Sequence, residues 1–436
     1  MKVWVPRPYQ VLMYRFMARV ARCCLFVPMG FGKTSAVLWA IVGFLLAGFS
    51  GRVLVLAPLR VARSTWLDEI HMWDYFAHIR VAFIEEWLPE EQAFLRARAK
   101  LQRAVKVDET CSRPSTQALM AEVDRLHPLA QKARLRWVRG YDVVTCNYDV
   151  LQQLIDILGE RWPFDTVVCD ESTRLKSTRT KQGSKRGRAL ADVAFLPRVK
   201  RWINLTGTPV PNGLQDLWGQ LYFIDKGARL GVSFKAFEDR WFGFERIADA
   251  RNPRKFYASR VPKPHAEAEI NAAISDVCFT LDPKEWFDLK EPIVNTIKVK
   301  LPDEARGHYR KMAKEMFAVI DEHTIIAVAA AAKAIKCLQL AAGAVYVGEN
   351  NEKWIEVHDE KIEALRSVVE EAAGAPVLVA YHLRSDLDRI LAAFPHARHL
   401  DANPKTITDC GCATRIGILP AFQSVMVFGF ASRCRA

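Results

Sequence analysis

The chain has 436 residues, 50% of them hydrophobic and 25% charged. That is globular composition. It excludes a disordered or fibrous chain and leaves room for roughly two or three domains, each burying its own core. Lysine and arginine outnumber aspartate and glutamate 62 to 49, a formal charge of +13, which points to a polyanionic partner, most often nucleic acid.

Met1-Lys2 runs directly into Val3-Trp4-Val5-Pro6, without the apolar stretch of a secretory leader. The longest apolar run, Val37 to Phe49, falls short of the about 20 residues that cross a bilayer and reads as a buried helix. No membrane association is expected. Buried strands are expected at Cys23–Val27, Val53–Ala57, Asp142–Thr145, Thr166–Cys169 and Trp202–Thr206, separated by helical stretches. Apolar runs alternating with helices predict a parallel sheet in an α/β domain. The ten cysteines, several within these runs, fit a reduced chain with small buried thiols better than a disulfide framework. Apart from the adjacent Cys23-Cys24 in the first apolar run, Cys410 and Cys412 form the one closely spaced pair, and no further pair or histidine cluster completes a zinc site with them.

Between the first strand and the apolar helix lies Pro28-Met29-Gly30-Phe31-Gly32-Lys33-Thr34. Strand, glycine-rich loop and helix are the context of a phosphate-binding loop. Glycines let the backbone approach the phosphates, and the amides of the loop and helix start supply positive potential. Lys33 is expected on the β- and γ-phosphates of ATP and the Thr34 hydroxyl on Mg2+. Val27 stands where the strict pattern has its first glycine. A glycine-rich turn that merely precedes a lysine is the plain alternative, and the flanking strand and helix weigh against it.

The strand Thr166–Cys169 ends in Asp170-Glu171. Carboxylates at the carboxyl end of a buried parallel strand stand where such sheets place their sites. Asp170 is expected to hold Mg2+ and Glu171 to orient and deprotonate the attacking water. A solvated Asp-Glu turn is the bland reading of these two residues alone; the phosphate loop upstream tips the balance. The basic run Arg174, Lys176, Arg179, Lys181, Lys185, Arg186, Arg188 follows without an acidic residue between. It suits phosphate neutralisation, or simply a solvated loop. Residues 85–138 are rich in Glu, Arg, Lys, Gln and Ala and read as a helical insertion whose charged face is solvated, with contact to DNA as the alternative.

In order, the chain carries Arg7-Pro8-Tyr9-Gln10, Met29 to Thr34, Leu56-Ala57-Pro58, Thr145-Cys146-Asn147-Tyr148, Asp170-Glu171-Ser172-Thr173 and Leu205-Thr206-Gly207-Thr208-Pro209. This series resembles the first motor lobe of superfamily 2 helicases, and within them the Swi/Snf-related DNA-dependent ATPases in a compact form familiar from bacteriophages. The resemblance is strong over residues 1 to about 225 and weaker over about 270 to 409. It implies an α/β fold of two RecA-like lobes on parallel sheets, with the second lobe truncated. The implied layout is lobe 1 at 1–225, an inter-lobe segment at 226–275, a partial lobe 2 at 276–409 and an aberrant tail at 410–436.

The resemblance also implies roles. Gln10 would read the adenine edge with Tyr9 packed nearby, and Met29, Gly30, Phe31, Gly32, Lys33 and Thr34 would hold the nucleotide. Pro58, Arg60 and Asn147 would contact the DNA backbone. Thr206, Gly207 and Thr208 would couple hydrolysis to lobe movement. The acidic segment reads Asp-Glu-Ser-Thr where the family more often has Asp-Glu-Ala-His, which bears on coupling more than on chemistry. The implied partner is duplex DNA, held with little sequence preference. The implied activity is ATP-driven translocation or remodelling in the cytoplasm, that of the host if a bacteriophage encodes the chain. A non-catalytic remnant that binds ATP or DNA without turnover is one rival. An RNA-stimulated ATPase is another, opposed by Asn212, Leu214, Asp216, Leu217 and Trp218 downstream of Thr-Gly-Thr-Pro. Nothing in the sequence bears on oligomeric state.

Lys361 to Ala373 reads as an amphipathic helix, with Asp359 as its N-cap and Gly374 as its stop, and Val377–Tyr381 as a buried strand. With Ala342-Gly343-Ala344-Val345-Tyr346 and His358-Asp359-Glu360-Lys361 these resemble the start of the family's second lobe. Its two closing segments, one supplying an arginine finger worth roughly 10³–10⁵ in rate, are not readable. After Thr408-Asp409 the text changes to Cys410-Gly411-Cys412-Ala413. Shifted by one base, codons for Val425-Met426-Val427-Phe428 are compatible with His-Gly-Leu, the core of one missing segment. The tail is therefore expected to be a reading-frame product.

Overall fold

The computed structural model describes residues 1–179, 185–249, 252–287, 295–315, 317–320, 323–326, 330–347, 353–372, 377–399, 416–420 and 428–429. The chain divides into two compact units, Met1–Lys290 and Glu291–Ala436.

In the first unit the helix α1 (Pro8–Arg19) leads into β1 (Arg22–Phe26), α2 (Lys33–Leu46) and β2 (Val53–Ala57). A π-helical turn (Val61–Thr65) then runs into α3 (Trp66–Met72) and β3 (Val81–Phe83). The helices α4 (Pro89–Val105) and α5 (Pro114–Val138) precede β4 (Val143–Asn147), α6 (Leu151–Leu158), β5 (Thr166–Asp170), α7 (Lys185–Ala194) and β6 (Arg201–Thr206). The unit ends with α8 (Gln215–Asp225), α9 (Phe234–Trp241), the antiparallel pair β7 (Phe242–Asp249) and β8 (Asn252–Pro262), α10 (Ala266–Ile274), β9 (Cys278–Thr280) and α11 (Pro283–Trp286).

Seven strands form one parallel sheet in the order β3-β4-β2-β5-β6-β1-β9. Alternate residues serve opposite faces. Val53, Val55 and Ala57 of β2 pack into the cluster under α1, α2 and α3, whereas Leu54 and Leu56 pack into the cluster with α6 and α8. Both faces are covered, so the strands read as unbroken apolar runs. The five expected strands are all present, within a residue or two of the expected ends. Two short strands, β3 and β9, gave no such run because each lies at a sheet edge and has half-buried residues.

The helical insertion consists of α4 and α5, with Phe94, Ala130 and Ile157 forming a small core against α6. Its charged residues are not all solvated. Glu91 and Arg134 are 0% and 1% exposed and pair at 2.5 Å, and Glu91 also accepts from the Leu88 amide that starts α4. The Arg134 guanidinium lies over the ring of Trp137. Breaking a buried pair from one side leaves an uncompensated charge. Arg134→Ala is expected to cost about 3–5 kcal/mol of stability, read as a lower midpoint in urea denaturation.

The expected boundaries differ from the observed units. Phe237, Trp241, Ala266, Ile270 and Ile274, from the segment read as inter-lobe, belong to the main core of the first unit. Strand β9 extends its sheet beside β1, through Cys24↔Cys278 and Phe26↔Thr280. The chain thus stays with the first sheet to Lys290.

The second unit contains α12 (Asp303–Glu315), the antiparallel pairs β10 (Phe317–Ile320) with β11 (His323–Ile326), α13 (Ala330–Ala342), and β12 (Ala344–Val347) with β13 (Lys353–Glu356). It continues with α14 (Glu360–Glu371), β14 (Val377–Tyr381), α15 (Arg384–Ala393), β15 (Arg398–His399), β16 (Ile416–Pro420) and β17 (Phe428–Gly429). Its sheet has the order β15-β16-β14-β17 and is parallel. The helix and strand expected at 361–381 are α14 and β14. Asp359 precedes α14, but its carboxylate accepts from Arg389 and makes no side-chain cap; Gly374 lies outside the described residues. The buried Arg389 also donates to the carbonyls of Ala342 and His358 and to Glu356. Gly343 has φ +104°, and a Cβ there would collide with the His358 carbonyl. The tail read as aberrant contributes β16 and β17, on either side of β14. The cysteines at 410 and 412 and the rest of that tail lie outside the described residues. Among the described residues no helix is long and apolar enough to cross a membrane.

Candidate active site

In a parallel sheet the carboxyl ends of all strands open on one edge. Neighbours β5, β6 and β1 pair as Asp170↔Leu205 and Phe26↔Thr206. At a strand spacing of about 5 Å, the phosphate loop, the coupling segment and the acidic pair start within about 10 Å of one another. The loop after β1 turns through Gly30 and Gly32 at φ +87° and +60°. A Cβ on Gly32 would lie 2.7 Å from Gln10 Nε2. Val27 is fully buried, and its amide donates to the Thr206 carbonyl at 3.0 Å, which continues the β1 ladder. A valine therefore serves where the strict pattern has glycine.

Lys33, first residue of α2, donates through Nζ to the carbonyls of Val27 (2.7 Å) and Pro28 (3.0 Å), folded over its own loop. Burial pulls the Lys33 pKa down, and Asp170 and Glu171 pull it back up. Thr34 follows it at the helix start. Gln10 donates to Gly32 O and Ser35 Oγ, both at 3.1 Å, and accepts from the Arg7 amide at 2.9 Å. Its amide thus ties α1 to the phosphate loop. Tyr9 packs edge-on against Phe31, Trp286 and Phe287. Met29 is exposed, whereas Phe31 is buried.

Asp170 ends β5. Its Oδ2 accepts from Trp66 Nε1 at 3.0 Å, its Oδ1 from the Glu171 amide at 3.1 Å, and its carbonyl from Tyr148 OH at 2.9 Å. Burial raises its pKa, against the Trp66 hydrogen bond and Lys33. Glu171 sits in the left-handed region at φ 54°, rare for a non-glycine residue. Its pKa is raised first by burial and then by Asp170. Ser172 is fully buried and donates to Gln220 Oε1 at 2.8 Å, while Gln220 Nε2 donates to the Pro209 carbonyl at 2.7 Å. One buried amide therefore links the acidic segment to the Thr206–Pro209 segment after β6. The serine that departs from the commoner family form is a partner in that link.

Thr206 is fully buried, and its hydroxyl accepts from the Thr208 amide at 3.1 Å. Gly207 lies against the phosphate loop: a Cβ there would meet Met29 N at 3.5 Å. Pro58 and exposed Arg60 follow β2, and Asn147 ends β4, on the same carboxyl edge. Asn147 is only 8% exposed and bonds with Asp149 in both directions at 3.3 Å. Of the basic run, Lys176 pairs with Asp216, and Arg179 donates to the carbonyls of Lys176 and Thr178 and stacks on Phe234. Those two are held in the fold. Arg188 is exposed, and the side chains of Lys181, Lys185 and Arg186 lie outside the described residues.

Thr34 and Asp170 offer hard oxygens, which suit Mg2+. Among the described residues no cluster of three or more His, Cys, Asp or Glu could hold a metal alone. Magnesium characteristically takes one or two protein ligands and completes its shell from phosphates and water, so the donor set fits.

The SNF2-related domain matches residues 9–339. The chain belongs to the SNF2-related family. That family uses ATP with a divalent metal. Protein p41 of Acyrthosiphon pisum secondary endosymbiont phage 1 is 44% identical over 410 residues, 94% of this chain and 79% of that protein. The DNA excision repair protein ERCC-6-like of Bos taurus is 27% identical over 204 residues, 47% of this SNF2-related chain and 13% of the relative. A solved Sulfolobus solfataricus SWI2/SNF2 ATPase core in complex with dsDNA aligns with 96% of the chain and 80% of its own, at 17% identity and a TM-score of 0.45.

Trp66, Tyr148, Gln220, Trp286 and Phe287 were not assigned roles from the sequence. Each is a side chain brought to the site from another element, and no spacing announces such a meeting.

Proposed function

We propose that this SNF2-related chain is a DNA-dependent ATPase that moves along or remodels duplex DNA. The observation that carries the reading is the convergence of the phosphate loop, Asp170-Glu171 and Thr206-Gly207-Thr208 at the ends of three adjacent parallel strands. In this reading the amides about Gly30 and Gly32 cradle the phosphates, and Lys33 turns from its own loop carbonyls to the β- and γ-phosphates. Thr34 and Asp170 hold Mg2+. A divalent ion held there would neutralise charge developing on the phosphates. Glu171 accepts the proton of the attacking water; a carboxylate raised toward working pH is the better base. Gln10 and Tyr9 lie beside the phosphate loop, where the adenine would be read. Thr206 and Thr208 pass the change of nucleotide state to the neighbouring segments.

Duplex DNA would lie over the edge that carries Pro58, Arg60 and Asn147, gripped through its backbone and so with little sequence preference. The test is turnover with and without duplex DNA, with structured RNA as competitor. Stimulation by duplex supports the reading. Stimulation by RNA alone would transfer it to RNA, and binding without turnover would leave a non-catalytic protein. Duplex affinity is expected to fall steeply with salt, the log–log slope growing by about −0.9 per neutralised phosphate. It is expected to change little between unrelated sequences of equal length. A flat response in a filter-binding titration would remove the nucleic-acid claim.

A further inference from the structure

The two segments proposed for DNA backbone contact both end on the same residue, Asp170, one at its carboxylate and one at its backbone carbonyl. After β2 the chain passes Pro58 and Arg60, enters the π-helical turn Val61–Thr65, and reaches Trp66. The Trp66 amide closes that turn on Val61 O, and its indole donates to Asp170 Oδ2 at 3.0 Å. At the end of β4 the residue after Asn147 is Tyr148, whose hydroxyl donates to the Asp170 carbonyl at 2.9 Å. Both rings are fully buried. The two segments are also tied to each other. Thr145 Oγ1 donates to the Ala62 carbonyl at 2.7 Å, inside the π turn. Single π turns recur at functional sites, and this one lies between the expected DNA contact and the indole.

We infer that Trp66 and Tyr148 are positioning residues through which duplex occupancy at Pro58, Arg60 and Asn147 sets the orientation of the Asp170 carboxylate, and hence its hold on the divalent ion. A shift of either segment must move a donor on Asp170 or break its hydrogen bond. The inference rests on the ATPase reading above. The plain alternative is that a buried indole and a buried phenol have simply found acceptors, as such groups must.

Mn2+ titrated into the full chain with a non-hydrolysable ATP analogue, followed by electron paramagnetic resonance with and without duplex DNA, separates the two. Tyr148→Phe keeps the ring and removes only the donor, whereas Trp66→Phe removes the indole donor together with part of a fully buried ring. The wild type is expected to bind Mn2+ more tightly when duplex is present. Trp66→Phe is expected to bind Mn2+ about tenfold more weakly, the lower end of what losing an outer-shell partner costs, and to lose the duplex effect. Tyr148→Phe is expected to reduce the duplex effect with a smaller change in duplex-free affinity. Thr145→Val, which severs the tie between the segments, is expected to reduce the duplex effect with duplex-free affinity unchanged, and serves if Trp66→Phe does not fold. A Trp66→Phe protein, or in its place Thr145→Val, with wild-type Mn2+ affinity and wild-type duplex response overturns the inference. A wild type that hydrolyses ATP and binds Mn2+ without any duplex effect overturns it too, and leaves the ATPase reading standing. A wild type that binds neither nucleotide nor Mn2+ removes both.

Discussion

Replacing Glu171 by glutamine is expected to leave binding of ATP with Mg2+ intact and to slow hydrolysis about 10²–10⁴-fold, the usual worth of a positioned general base. The geometry favours a clean result. Glu171 stands just past the end of β5, with its backbone at φ 54° and its amide donating to Asp170 Oδ1. Glutamine has the same shape and asks the backbone for nothing new. What disappears is the carboxylate that burial and Asp170 have made a stronger base. Single-turnover hydrolysis read beside fluorescent-nucleotide binding separates the two steps. A Glu171→Gln protein that hydrolyses ATP at the wild-type rate would take the water-activating role away from this residue.

Lys33→Ala is expected to lose nucleotide binding as well as turnover. The Lys33 ammonium bridges the carbonyls of Val27 and Pro28, so alanine withdraws two hydrogen bonds from the loop and a charge from the phosphates. With ATP bound the ammonium would turn from these carbonyls to the phosphates, and one hydrogen bond to a charged group is worth about 1.5–3 kcal/mol, so a fall of about one to two orders of magnitude in ATP affinity is expected. The fold should survive, because the sheet and α2 are held by the apolar clusters on both faces. Isothermal titration with ATP, beside a thermal melt, is the measurement. Unchanged affinity in a folded variant would sink the phosphate-loop assignment.

Much of the first unit was legible as text because its physics is local. Five buried parallel strands are apolar on both faces, so each is a short unbroken run between turn signals. A phosphate loop needs glycines at positive φ immediately before a helix, and Gly30, Gly32 and Lys33 are neighbours in sequence as in space. An acidic pair at the end of a strand is likewise one continuous string. The departures were legible but not interpretable. Val27 in place of glycine makes sense only once it is seen to continue β1 as a fully buried core residue. Ser172 is explained only by Gln220.

The sequence by itself determined the α/β class, the parallel sheet, the glycine loop before α2, the acidic pair at the end of β5 and the family. Each of these is written in neighbouring residues or in a short period. The tertiary structure alone decided what depends on residues far apart in the chain. It gave residues 226–290 to the first unit, because Phe237, Trp241 and Ile270 fill its core and β9 lengthens its sheet. It paired Glu91 with Arg134 inside an insertion whose charges read as solvated. It withdrew Lys176 and Arg179 from the basic run by giving each a partner. And it brought Trp66 and Tyr148 to Asp170 from 104 and 22 residues away along the chain. A buried donor takes whichever acceptor the packing places within reach, and that choice is made in three dimensions, where sequence spacing carries no record of it.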